Sequence, residues 1–244
     1  MTKIKDRRTI RRYSDRPVDE EQLNEILLTA SRSATMGNMQ LYSVVVTRDE
    51  SIKYELSPLH FNQPMVHAPV LLTFCADFHR FSQWCELRDA NPGYDNFLSL
   101  LNAMSDTLLF TQNFCTLAED AGLGTCYLGT TLYNPKGIIS VLHLPRLTFP
   151  IATISVGWPA EAPSQPDRLP LDGIMHKERY SDYSSSSIDQ IYSLKESLEE
   201  NKEYVRINGK QTLAQVFTDC RYTKRDNESM SVGLLDALRQ QGFL

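Results

Sequence analysis

The chain has 244 residues, 41% of them hydrophobic, and 25 lysines and arginines against 30 aspartates and glutamates, a formal net charge of −5. That supports one full core, with or without an extension, in a composition ordinary for a soluble globular protein. No apolar stretch follows the basic start and the longest mostly apolar run, residues 70–76, is too short to cross a bilayer. A secretory signal and a membrane span are therefore not expected, and a soluble cytoplasmic protein is.

The first sixteen residues, "MTKIKDRRTIRRYSDR", hold seven lysines and arginines against two aspartates, so this segment carries +5 and leaves −10 for the rest. A helix is predicted from "PVDEEQLNEILLTASRS", with Asp19 and Gln22 as a capping box and Leu23, Ile26, Leu27 and Ala30 as its apolar stripe. The loop "SATMGNMQLY" follows, then a β-branched strand, "SVVVT", and a second strand at 70–76. Residues 96–121 read as one helix ending at Gly122, about 39 Å long at 1.5 Å per residue. "TCYLG" is a third strand, "NPKGIISVLHLP" a short helix, and "FPIATISVGWP" a fourth strand stopped by Gly157 and Pro159. Beyond the serine run at 184–187 the chain turns polar and helical, and "SVGLLDALRQQGF" reads as a docked terminal helix. Strands separated by helices, with a polar C-terminal extension, predict an α/β or α+β sandwich.

Cys75, Cys85, Cys115, Cys126 and Cys220 show no C-x-x-C spacing, which argues against a disulfide framework and a structural zinc site. The histidines form no ligand-spaced pair, so no metal is expected. "GLGTCYLG" at 122–129 fails the dinucleotide fingerprint because Tyr127 stands where the third glycine belongs; a helix cap leading into a strand is the simpler reading. "RRTIRRY" leaves three readings open. It is a solvated basic face, a nucleic-acid contact opposed by the −10 of the remaining chain, or a phosphate grip. For the last, Arg7, Thr9 and Arg11 alternate, which puts two guanidinium forks and a hydroxyl on one side of an extended backbone.

Six elements in order over roughly residues 1–175 resemble the nitroreductase family of flavoenzymes, in particular its NADPH-dependent, FMN-containing nitro and quinone reductases. They are "RRTIRRY" with "PV" and a helix, "SATMGNMQLYSVVV", "HAPVLLTFCADFHR", "AGLGTCYLGTT", "ISVGWPAE" and "PDRLP". The resemblance implies an α+β fold with a central, mainly antiparallel sheet flanked by helices. It also implies an intertwined homodimer with FMN at its interface. The implied division is a core over 1–180 and a helical extension over 181–244, packing on the core or on the partner.

By the same resemblance, Arg7, Arg8, Thr9 and Arg11 belong to the element that grips the flavin phosphate and reaches its pyrimidine edge, with Arg168 as a second phosphate arginine. Leu128, Gly129 and Thr130 would lie against the ring. Met36, Gly37 and Asn38 would line it from the other subunit, and Asn62, or its neighbour Gln63, would bond it. Pro166 stands where the family usually has a lysine, and Arg206, Lys210, Lys224 and Arg225 are the candidates for a basic loop that chooses NADPH. The implied activity is hydride transfer from NADPH or NADH to nitroaromatic or quinone acceptors by a ping-pong cycle. No catalytic side chain is required, and Arg11 lends electrostatic support. The alternatives are a flavin reductase that releases reduced FMN, and a non-catalytic flavin-binding or interaction protein. No nucleic acid or membrane partner is expected.

Overall fold

The structure is a computed structural model and describes residues 3–244. Its centre is a four-stranded antiparallel sheet in the order β1-β2-β4-β3, formed by β1 (Tyr42–Thr47), β2 (Val70–Asp77), β3 (Gly124–Leu128) and β4 (Thr148–Gly157). The two middle strands are buried along their whole length, which is why their sequences read as unbroken apolar and β-branched runs. Val44 pairs with Phe74, Phe74 with Ala152, and Cys126 with Ser155.

Helices cover both faces. On one, α1 (Glu20–Ala30) and α4 (Phe97–Asp120) bring Leu23, Ile26, Phe110 and Phe114 onto Leu72, Phe74, Ile154 and Val156. On the other, α2 (Glu50–Leu56) and α5 (Pro135–Val141) bring Leu56 and Ile138 onto Leu71, Cys126 and Leu128. Successive residues of β2 thus serve opposite faces, as the two-residue period of a strand requires. A third cluster joins Phe78, just before α3 (His79–Glu86), with Leu100, Phe149, Ala237 and Phe243.

Asp19 caps α1 through its own carboxylate, which accepts from the Gln22 amide at 2.8 Å, so one half of the expected capping box is present. Asn96 caps α4 by accepting from the Ser99 amide at 3.0 Å, and Gly122, at φ 89°, turns the chain out of that helix into β3.

The chain divides into two compact units, one formed by Met1–Ser164 with Met230–Leu244, the other by Gln165–Ser229. These bounds are drawn differently from the division at 180 that the resemblance implies. The second unit holds α6 (Ser185–Ser197), α7 (Glu199–Ile207), α8 (Leu213–Val216) and a π-helical turn, Phe217–Arg221. The last helix, α9 (Lys224–Gln241), begins in the second unit and ends in the first. There the buried Gln241 side chain donates to the carbonyls of Pro145 and Thr148 at 2.9 and 2.6 Å. Among the described residues no helix is long and apolar enough to cross a membrane.

Candidate functional site

The basic N-terminal segment lies along the open edge of β3. The Ile10 amide donates to the Thr125 carbonyl at 3.0 Å, Tyr13 forms an isolated antiparallel bridge with Pro159, and the Ser14 amide donates to the Trp158 carbonyl at 2.9 Å. Tyr13 packs against the bare Cα of Gly157, and its hydroxyl lies 2.7 Å from that of Ser155. Burial pushes this phenol well above the ordinary tyrosine range, so it is a neutral anchor.

Glu161 fixes the same segment from the side. One of its oxygens accepts from the Arg11 and Arg12 amides at 2.6 and 3.0 Å, and the other pairs with the Arg12 guanidinium at 3.2 Å. These bonds, led by that from the Arg11 amide, hold the Glu161 carboxyl below its usual range. Ile10 is buried, Arg7 and Thr9 are half-buried, and Arg8 and Arg11 are exposed. Arg7 Nε lies 3.4 Å from Oε1 of Glu119 in the last turn of α4, and the Thr125 hydroxyl donates to the same oxygen. Burial raises the Glu119 carboxyl, against the lowering pull of Thr125 and Arg7. Burial raises the Cys126 thiol of β3, against the lowering pull of Arg11 and Arg7.

At the far end of β3, Leu128 is buried, Gly129 exposed and Thr130 buried. A Cβ added at Gly129 would meet nothing within 4 Å, so the backbone there faces open space. The Thr130 hydroxyl lies 2.8 Å from Nδ1 of the fully buried His60, and Gln63 Nε2 donates to it at 3.5 Å. Burial drives the His60 imidazole down to about 4, so it is neutral at physiological pH. Asn62 is exposed, sits at φ 53° and accepts from the Ser57 hydroxyl at 3.4 Å. Of these two neighbours, it is Gln63 whose side chain reaches the strand end.

Met36, Gly37 and Asn38 form an exposed 3-10 turn whose flanks are tied to Asp106 of α4. Arg168 belongs to the second unit. It is exposed, and its guanidinium donates to the Asp167 carbonyl at 2.8 Å, while Asp167 pairs with Lys195 of α6 at 2.8 Å. The four candidates for a nicotinamide-selecting loop each pair with a nearby carboxylate: Arg206 with Glu203, Lys210 with Asp219, Lys224 with Glu228 and Arg225 with Asp226. Among the described residues no group of three histidine, cysteine or acidic side chains is placed to hold a metal ion.

A sequence model of the nitroreductase family matches residues 4–158, the stretch from the basic arm to the end of β4. The chain belongs to the nitroreductase family. Among curated nitroreductase relatives, an FMN reductase [NAD(P)H] from Bacillus subtilis (strain 168) is 36% identical over 216 residues, 86% of this chain and 84% of that one. An oxygen-insensitive NADPH nitroreductase from Salmonella typhimurium is 33% identical over 174 residues, 71% of each chain. A solved structure from Bacteroides fragilis NCTC 9343 superposes with a TM-score of 0.98 at 61% identity, covering 99% of this chain and 98% of its own.

Within this nitroreductase, sequence reasoning missed the supports: Glu161 and Glu119 beside the arm, His60 behind Thr130, and Asp106 under the 36–38 turn. None carries a local signal. Each is a single polar residue with a partner far away in the chain, Glu119 meeting Arg7 as well as the nearby Thr125.

Proposed function

We infer that this chain is an FMN-dependent oxidoreductase that takes hydride from NADPH or NADH and delivers it to nitroaromatic or quinone acceptors. The reading is supported by the arm that carries Arg7, Thr9 and Arg11 and is tied to β3 by the Ile10–Thr125 bond, in a chain 36% identical to an FMN reductase.

The donor set fits the cofactor. Guanidiniums and a hydroxyl suit a phosphate monoester, and the open space over Gly129 leaves room for a flat ring against the strand end. The hydride chemistry is that of the bound flavin. In this reading Arg7, Arg8 and Thr9 hold the phosphate, and Arg11 keeps a positive charge near the pyrimidine end, where reduction adds electrons. The Leu128–Thr130 backbone seats the ring, with Gln63 or Asn62 at its rim. Met36, Gly37 and Asn38 of a second copy close it from the other side and exclude water.

The second copy is supported by α4. Leu100, Phe110 and Cys115 are buried in the chain's own core, whereas Leu98, Leu101, Leu108 and Leu109 remain exposed on the same helix. An apolar helix of this kind needs a further surface to cover it. We place the enzyme in the cytoplasm, where nicotinamide donors are at hand.

The name of the 36% identical relative favours a second reading, a reductase that releases reduced FMN. The two separate on the preferred acceptor: free FMN in one case, a quinone or nitro compound at a retained flavin in the other. The test begins with the flavin released by denaturation, which should be FMN. Anaerobic addition of NADPH, then of NADH, should bleach the bound flavin, and a quinone should restore it in parallel-line steady-state kinetics. No FMN after reconstitution, or a bound flavin that neither donor bleaches, sinks the reading.

A further inference from the structure

We propose that Asp106 is a positioning residue, a buried carboxylate that clamps residues 35–41 so that Met36, Gly37 and Asn38 hold the shape in which they meet the cofactor ring. The proposal rests on the FMN reading above. Asp106 sits in the middle of α4 and is 3% exposed. Among the described residues no cation pairs with it. Its two oxygens are instead filled from the loop: Oδ1 accepts from the Met36 amide at 3.0 Å, and Oδ2 accepts from the Thr35 hydroxyl at 2.5 Å and from the Leu41 amide at 3.3 Å.

The Gln40 amide in turn donates to the Thr35 hydroxyl at 2.9 Å, which ties the two ends of the turn to each other as well as to the helix. Burying a carboxylate without a counter-ion is costly, and several hydrogen bonds from one segment are what compensate it. Its buried neighbours on the same helix are apolar, as Ala103 and Phe110, or satisfy their hydroxyls within the helix, as Thr107 and Thr111, whereas Asp106 bonds the loop.

The loop shows what the clamp holds. Gly37, Asn38 and Gln40 have φ of 54°, 56° and 54°, three left-handed residues within four positions. Only the glycine adopts that conformation at no steric cost. Such backbone persists where its surroundings over-determine it, and it gathers where a ligand is gripped. The turn itself stays exposed, with Met36 48% accessible, so the strain is fixed from behind by Asp106 and its outer face is left free for a ligand.

The test uses the FMN-loaded enzyme with Asp106→Asn, Thr35→Val and Thr35→Ser. Asp106→Asn puts an amide donor against the donors of the loop. It should speed hydrogen exchange at the Met36 and Leu41 amides and cut kcat/KM for nicotinamide and quinone roughly tenfold or more. The dissociation constant for FMN should move less, by about threefold or under, since the phosphate grip is elsewhere. Thr35→Val should show the same pattern more weakly, Thr35→Ser should retain wild-type behaviour, and the Thr35→Val/Asp106→Asn pair should be no worse than Asp106→Asn alone.

If Asp106→Asn does not fold, the Thr35 pair decides the matter. Thr35→Val with wild-type exchange and kinetics overturns the proposal, as does an Asp106→Asn enzyme that loses only thermal stability. A wild-type protein that binds no FMN overturns the functional reading and this proposal together. Wild-type flavin binding with unaltered variants overturns this proposal alone.

Discussion

Ile10 rests directly on the bare backbone of Gly124, where an added Cβ would come within 2.7 Å of the Ile10 Cβ. With the Ile10–Thr125 hydrogen bond, this contact sets the depth at which the arginine arm lies on β3. Gly124→Ala should lift the arm and weaken FMN retention by about 1–3 kcal/mol, the range for overpacking a tight contact. Fluorescence titration of the apoprotein with FMN measures it. Adding Ile10→Ala, which makes room for the new methyl, should recover part of the loss.

Arg11 should govern electron affinity more than cofactor retention. Its amide is pinned by Glu161 at 2.6 Å, which leaves the exposed guanidinium as the part free to meet a ligand. Arg11→Leu should lower the flavin midpoint potential by a few tens of millivolts, with ~30 mV corresponding to about 1.4 kcal/mol for a two-electron couple. Arg8→Leu is the control. A larger shift with Arg8→Leu than with Arg11→Leu would reverse the assignment.

His60 makes stability depend on pH. Its folded pKa, about 4, lies below the unfolded value of 6.5 because the buried site disfavours the charged ring. The unfolded chain therefore binds the extra proton first. The contribution is complete above pH 6.5 and is lost as pH falls toward 4, on the order of 3 kcal/mol in all. Urea unfolding at pH 7.5 and at pH 4.5 should show a steeper acid loss for the wild type than for His60→Gln. Equal slopes would mean that the ring is not held neutral.

The exposed face of α4 should be a dimer surface. Leu101→Glu with Leu108→Glu puts two charges on it, at positions 40% and 37% accessible in the single chain. Sedimentation should show a monomer in place of a dimer, and the monomer should hold flavin poorly if the second copy completes the site. Dimeric sedimentation by the double variant would place the interface elsewhere.

The sheet was legible because its strands are written in apolar and β-branched runs, the fourth, "FPIATISVGWP", stopped by Gly157 and Pro159. The helix over 96–121 was legible to within a residue at each end, since Asn96 and Gly122 punctuate it. The short helices α2 and α3 did not show: seven or eight residues give little period, and unlike the equally short α5 they are not bracketed by prolines. At the site, the arginines and glycines were readable as a motif. The carboxylates that steady them were not, because Asp106 and Glu161 look like solvated surface residues until the fold brings their partners to them.

The sheet has two outer strands, and the N-terminal arm lies against one of them, β3, where the Ile10 amide bonds the Thr125 carbonyl and Ile10 packs on Gly124. An uncovered strand edge is a template for pairing with other chains, and cells guard against it. The segment that would grip the flavin phosphate therefore also shields β3 from self-association. Apoprotein in which the arm has come loose should be sticky as well as inactive, and flavin would then act as a solubility factor for the newly made chain.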